Sequence, residues 1–146
     1  MVSTQKIIQQ SNQLMDMAKK NELFAVASKI LQKEGDTKQE AELRLQTFFQ
    51  SLTLSQNFPE KYAFHEYEDK AFHACLLDNE AFQSVCKEVF GVIVNHMSWA
   101  RLGNELSLHQ NKADQMAIDY KKIFGDSKML SEGTAVICWD SPAIAA

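Results

Sequence analysis

Residues 72–97 read FHACLLDNEAFQSVCKEVFGVIVNHM and combine helical periodicity with several chemically reactive residue types. Two of the four histidines and two of the three cysteines of the chain lie in this stretch. Its apolar residues recur at spacings of three and four, which is typical of amphipathic helices. Asp78 in the middle is a suitable N-cap, because its carboxylate can accept from unpaired backbone N–H groups. The stretch therefore predicts a helical hairpin over residues 68–77 and 79–97.

Helical periodicity also covers most of the chain on both sides of this hairpin. It predicts helices over residues 4–20 and 22–34, a third helix after Asp36, and a last helix that Gly125 can close. Gly35 suits the C-terminal cap of the second helix, because glycine adopts the left-handed conformation at little cost. Asp36 is expected to cap the start of the third helix.

The other segments are expected to be non-helical. Residues 98–111 form a looser connection, and His109 in this connection and His65 in an earlier loop are expected to be solvated. The tail, residues 131–146, is rich in β-branched and aromatic residues and predicts an extended strap across the bundle. The sequence thus predicts an all-α fold: one domain over residues 1–146, a bundle of five or six helices with an extended C-terminal strap.

Composition limits the classes of function. The formal net charge is −4 and is spread along 146 residues, so the chain lacks the basic patch that nucleic-acid binding requires. No apolar run approaches the roughly 20 residues needed to cross a bilayer, and the N-terminus has no signal-peptide pattern. Three cysteines are too few for a disulfide framework. We therefore expect a cytoplasmic protein that binds neither nucleic acid nor membrane.

The most informative polar pair is Asp69 and His73. Their spacing of four residues brings the two side chains together on one helix face. A carboxylate beside an imidazole fixes its tautomer and raises its basicity, as in many metal and catalytic sites. Cys75 lies about 200° around the helix from His73 and is not expected to share an ion with it. The pair is also consistent with a purely structural role.

Cys86 and His96 fall on the same side of the predicted second helix but ten residues apart, which is about 15 Å along its axis. Zinc ligands lie only about 2.0–2.3 Å from the ion, so both can bind one ion only if the helix breaks, for which Gly91 is the candidate position. Otherwise Cys86 is a buried apolar side chain and His96 bonds to the last carbonyls of its helix. The candidate metal ligands are His73, Asp69, Cys86 and His96, and zinc or iron is the candidate ion.

No familiar catalytic signature accompanies these residues: the chain has no P-loop, G-x-G-x-x-G, H-E-x-x-H, C-x-x-C or G-x-S-x-G motif. A Cys86 nucleophile with His73 as its base is conceivable. It would also require an oxyanion hole and an open cleft, which the sequence does not indicate. Whether the protein is an enzyme stays open, and the incomplete catalytic set favours a non-enzymatic role.

The same stretch resembles the helical domain of the glycine-rich domain-containing protein family, in its short stand-alone bacterial form. That family carries an aspartate, a Trp-His-x-His run, a tyrosine, a cysteine, a Phe-Gly pair and a histidine in this order. In this chain the matching positions are held by Asp69, Phe72, His73, Cys75, Phe82, Cys86, Phe90, Gly91 and His96. Phe72 replaces the tryptophan, Cys75 replaces the second histidine, and no glycine-rich segment is present. The resemblance covers about residues 45–125, implies a helical fold and implies no reaction.

Together these patterns favour a non-enzymatic interaction or adaptor module that binds a protein partner or itself, of which an inhibitor or immunity-type protein is one form. The first alternative is a metal- or small-ligand-binding domain centred on His73, with Asp69, Cys86 and His96 around it. The second alternative is a thiol-dependent enzyme that uses Cys86.

Overall fold

Helices form most of the molecule. The computed structural model describes residues 3–98, 106–128, 136–140 and 144–145 of the chain. Six helices occur in these residues: α1 (Thr4–Lys20), α2 (Leu23–Lys33), α3 (Lys38–Asn57), α4 (Glu66–Leu76), α5 (Asn79–Phe90) and α6 (Leu106–Phe124). The predicted all-α bundle is therefore confirmed, with the upper of the two expected helix numbers.

Short strands lie beside the bundle. They are β1 (Phe64–His65), β2 (Val92–Ile93), β3 (His96–Ser98), β4 (Val136–Asp140) and β5 (Ile144–Ala145). The C-terminal strand β4 pairs antiparallel with both β1 and β3, and β5 pairs antiparallel with β2. The tail is thus extended where it is described, as predicted, and the rest of residues 131–146 lies outside the described residues.

The start of α3 differs from the sequence prediction. Thr37, not Asp36, is the N-cap: its hydroxyl accepts from the backbone N–H of Glu40, and the Glu40 carboxylate accepts from the N–H of Thr37. This reciprocal pair satisfies two backbone donors that have no partner within the helix. Asp36 instead binds the buried Arg44 through two hydrogen bonds of 2.8 and 3.0 Å. A planar guanidinium donates well to both oxygens of one carboxylate, so the Asp36 side chain pairs with Arg44 and does not cap α3.

The end of α5 corrects the predicted hairpin. The helix ends at Phe90, not near residue 97, because Gly91 adopts the left-handed conformation with φ of +76°. The Gly91 N–H donates to the Lys87 carbonyl at 2.8 Å and closes the last turn. The chain then turns into β2 and β3, so His96 lies on a strand. The predicted bond from His96 to helix-terminal carbonyls is therefore wrong.

Two more histidine positions were predicted wrongly. His109 lies inside α6, which begins earlier than the expected loop allows, and its side chain is buried. His65 lies on β1 and is fully buried. Both side chains are covered by tertiary packing, which the local sequence patterns do not indicate.

The core is organised around aromatic rings. The ring of Phe48 on α3 lies 5.0 Å from Phe72, 5.4 Å from Phe49 and 6.2 Å from Phe82, between ring centres. Rings at such separations contribute attraction beyond the area they bury. This cluster joins α3, α4 and α5, and Phe72 and Phe82 belong to the hairpin that the sequence singled out.

Among the described helices, none combines the length and apolar character needed to cross a membrane.

A substitution at Gly91 tests whether its left-handed conformation ends α5 and turns the chain into β2 and β3. A Cβ at this position would meet no atom within 4 Å, so a substitution changes only the backbone preference. Gly91→Ala should lower the free energy of unfolding by about 1 kcal/mol, because the left-handed conformation is costly for alanine. Gly91→Asn should cost less, since asparagine tolerates this conformation. Urea unfolding of both variants measures the difference, and equal stability of the alanine variant and the wild type would contradict the assignment.

Candidate metal centre

The candidate site is built from one helix and one strand. Asp69 and His73 lie one turn apart on α4, and His96 begins β3. The first turn of α4 is held by Glu68, whose carboxylate accepts from the backbone N–H of His65 at 2.9 Å. The turn at Gly91 brings β3 back against α4. Two segments more than 20 residues apart in sequence thus meet at three polar side chains.

Three ligand-type atoms converge at this meeting point. The Nε2 atoms of His73 and His96 lie 2.8 Å apart, and His96 Nε2 lies 3.1 Å from Oδ1 of Asp69. His73 Nε2 lies 3.4 Å from Oδ2 of the same carboxylate. All three atoms lie within 4.8 Å of one another. The predicted pairing of Asp69 with His73 is therefore present, and His96 completes a two-imidazole, one-carboxylate set.

Burial changes steadily across the set. The side chain of Asp69 is 4% exposed, that of His96 is 17% exposed and that of His73 is 55% exposed. The carboxylate therefore lies at the inner end of the set, and His73 lies at its solvent-facing end. The Phe72 ring meets the His96 ring edge-on at 4.7 Å between centres and supports it from the core side. The site is therefore buried at Asp69 and accessible to solvent at His73.

Cys86 is not brought into this set. It is fully buried in the hydrophobic core on α5, and the convergent ligand atoms belong to Asp69, His73 and His96. The 15 Å separation expected between Cys86 and His96 assumed a continuous helix, and Gly91 interrupts it. The signal for His96 was present in the sequence, since Gly91 was the one position that suggested a break.

The two cysteines of the hairpin lie in surroundings typical of buried apolar side chains. Cys75 and Cys86 are both fully buried, and neither forms a disulfide. Burial raises the pKa of the Cys75 thiol well above its usual value, and the neighbouring Cys86 and Asp78 add to the effect. A thiol of raised pKa contains little of the reactive thiolate at neutral pH. The arrangement does not favour the thiol-dependent alternative.

Thiol chemistry provides a second test. Iodoacetamide at neutral pH should modify Cys75 and Cys86 only when the chain unfolds, because burial excludes the reagent and the thiolate is scarce at Cys75. Peptide mass mapping of native and urea-treated samples distinguishes these residues from Cys138. Modification of Cys86 in the native protein at the rate of a model thiol would contradict its assigned burial.

A second polar cluster, deeper in the bundle, was missed by the sequence reasoning. The Glu68 carboxylate is fully buried and accepts from the Ser51 hydroxyl at 3.0 Å as well as from the His65 backbone. The His65 Nδ1 atom lies 3.4 Å from this carboxylate, yet within the described residues neither His65 ring nitrogen makes a hydrogen bond. Tyr120 donates to the Gln50 side chain nearby in the core. The spacing of Glu68 three residues after His65 was the available signal.

The chain matches no protein-family model, no curated protein and no solved structure. The resemblance to the glycine-rich domain-containing proteins therefore stays a prediction from the motif residues. The residues that it marks do not behave alike in the structure. Asp69, His73 and His96 converge, whereas Cys86 packs in the core.

Proposed function

We propose that this protein binds one divalent transition-metal ion through the carboxylate of Asp69 and the Nε2 atoms of His73 and His96. The observation that carries the proposal is the convergence of three side chains from α4 and β3. The two Nε2 atoms lie 2.8 Å apart, and the Asp69 carboxylate lies 3.1 Å from His96 Nε2 through Oδ1 and 3.4 Å from His73 Nε2 through Oδ2. This is the metal-binding alternative of the sequence analysis with three of its four residues. Cys86 is not among the proposed ligands.

Proton counting supports a cation. A neutral imidazole has either one proton or one lone pair at Nε2, and a carboxylate oxygen has lone pairs only. Whichever tautomers are chosen, ring protons cannot bridge all three separations, and at least one pair faces lone pair to lone pair or proton to proton. A metal ion accepts a lone pair from each of the three atoms. It therefore satisfies the whole set, which hydrogen bonds alone cannot do.

The separations also fit an ion. Nitrogen and oxygen ligands of zinc lie about 2.0–2.2 Å from it, which places neighbouring ligands in a tetrahedral site about 3.3–3.6 Å apart. The 3.4 Å separation falls in this range, and the 2.8 and 3.1 Å separations are shorter than its lower limit by a few tenths of an ångström. Little rearrangement of the side chains is needed.

The ligand types narrow the choice of ion. Two imidazoles and one carboxylate suit zinc and ferrous iron, whereas calcium and magnesium prefer oxygen ligands alone. Three protein ligands leave at least one coordination position for water or an exogenous ligand. Because His73 lies at the solvent-facing end, the open position is accessible from outside. This is an open centre rather than a closed structural one.

The interaction or adaptor module that the sequence favours stays a prediction, including its inhibitor or immunity-type form and its protein partner. Metal binding is compatible with it, since an open centre can recruit a ligand from another molecule. The geometry of the described residues supports the metal-binding alternative more directly.

Titration calorimetry with zinc tests the proposal on untagged protein stripped with a chelator. We expect one ion per chain, because the three side chains together supply one set of protein ligands with an open position. His73→Ala and His96→Ala should each reduce the affinity by more than the roughly 10–100-fold that the loss of an outer-shell partner costs.

Matched controls separate the site from general effects. Glu88→Gln removes an exposed carboxylate from α5 and should leave binding unchanged. Cys86→Ala should lower stability through a small cavity but retain the stoichiometry and affinity. Wild-type protein that binds no zinc, ferrous iron or cobalt would overturn the proposal. Loss of binding in the Cys86 variant, with the fold intact, would restore the four-residue set.

A further inference from the structure

We infer that Gln83 is a positioning residue for the metal centre, because its side chain fixes the segment that carries His96. This inference rests on the proposed metal binding and assigns a role to a side chain outside the ligand set. The Gln83 Nε2 atom donates to the Val94 carbonyl at 2.7 Å, and its Oε1 atom accepts from the Val94 N–H at 2.8 Å. One side chain of α5 therefore binds both backbone groups of a residue eleven positions later.

This pair of bonds imitates a rung of a β-ladder. Only an amide side chain offers a donor and an acceptor side by side, as a peptide group does. Val94 is fully buried, so its backbone groups lie where an unmade hydrogen bond costs the full desolvation of the group. Gln83 satisfies both groups and thereby holds Val94 against α5. In the sequence Gln83 resembles any partly exposed helical glutamine, and the role emerges only from the long-range contact.

The position of Val94 determines where His96 lies. Two residues of extended chain cover only about 7 Å, so when Val94 is held in place, the backbone of His96 can occupy only a small region. The Phe72 ring, 4.7 Å from the His96 ring between centres, limits that range further. Asp69 and His73 need no such device, because α4 itself holds them one turn apart. His96 is the ligand whose position depends on a separate support, and Gln83 supplies it.

Without Gln83, His96 should lose its fixed place while the Asp69–His73 pair persists. Binding must then order the strand at each encounter, which lowers the affinity. Removal of residues that orient metal ligands typically costs about 10–100-fold in affinity. We expect the loss of the Gln83 side chain to reduce metal affinity by a factor of this size. We also expect the coordination geometry of the bound ion to change, because His96 no longer has a fixed position.

Gln83→Met tests this role, because methionine has a similar length and neither of the two hydrogen-bonding groups. Asn79→Ala is the matched control: it removes the bond between Gln83 and Asn79 within α5 and leaves both bonds to Val94. Cobalt serves as the probe, with its dissociation constant and its visible absorption bands recorded on folded protein. The Gln83→Met variant should bind about 10–100-fold more weakly with altered bands, and Asn79→Ala should match the wild type.

A structural role alone would lower the melting temperature without changing the cobalt bands. Wild-type affinity and bands in a folded Gln83→Met variant would overturn the inference and leave the metal centre standing. Absence of cobalt binding in the wild type would instead overturn the proposed function itself. Should Gln83→Met fail to fold, Gln83→Glu keeps the acceptor for the Val94 N–H and loses the donor. We expect weakened binding from it, and wild-type binding would again contradict the role of Gln83.

Discussion

The left-handed turn at Gly91 is the constraint on which the candidate site depends. A helix continued past Phe90 would carry His96 about 9 Å further along its axis, away from α4. With φ of +76° at Gly91, the helix stops and the chain returns as β2 and β3. One residue without a Cβ thus decides whether His96 belongs to the hairpin surface or to a site shared with Asp69 and His73.

The hydrophobic core and the polar site are joined at Phe72. Its ring lies 5.0 Å from Phe48, 5.8 Å from Phe82 and 4.7 Å from His96, between ring centres. The neighbour of this buried ring in the sequence is His73, which is largely exposed. Side chains next to a close-packed core keep a fixed geometry, and such preorganisation would favour the binding of an ion. The site is therefore supported by the same aromatic packing that holds α3, α4 and α5 together.

Local sequence patterns predicted those features that local physics determines. The bounds of α1 agree with the prediction at both ends, because its apolar stripe is regular and Ser3 caps its start. The contact between Asp69 and His73 followed from helix geometry alone. His96 was misplaced because Val85, Val89, Ile93 and Met97 continue a helical spacing through Gly91. The pairing of β3 with the distant β4 competes with that spacing, and no local pattern reveals such a partner.

The buried polar residues show the same limit. His65 and His109 were expected to be solvated, yet both are covered by packing between distant elements. Gln83 is a comparable case, since its two bonds to Val94 close only after α5 has ended and the chain has turned back. Composition and periodicity describe the faces of single elements. The sequence named His96 as a candidate, but its contact with Asp69 and the bonds of Gln83 to Val94 lie between elements and follow only from the three-dimensional structure.

Anomalous diffraction at the zinc absorption edge, from crystals grown with zinc, shows whether Asp69, His73 and His96 hold an ion. We expect one strong anomalous peak per chain about 2.0–2.1 Å from the Nε2 atoms of His73 and His96 and about 2.0–2.2 Å from an oxygen of Asp69. The absence of a peak there, with the two ring nitrogens still in contact, would contradict the proposed metal binding and leave the three side chains as a hydrogen-bonded cluster.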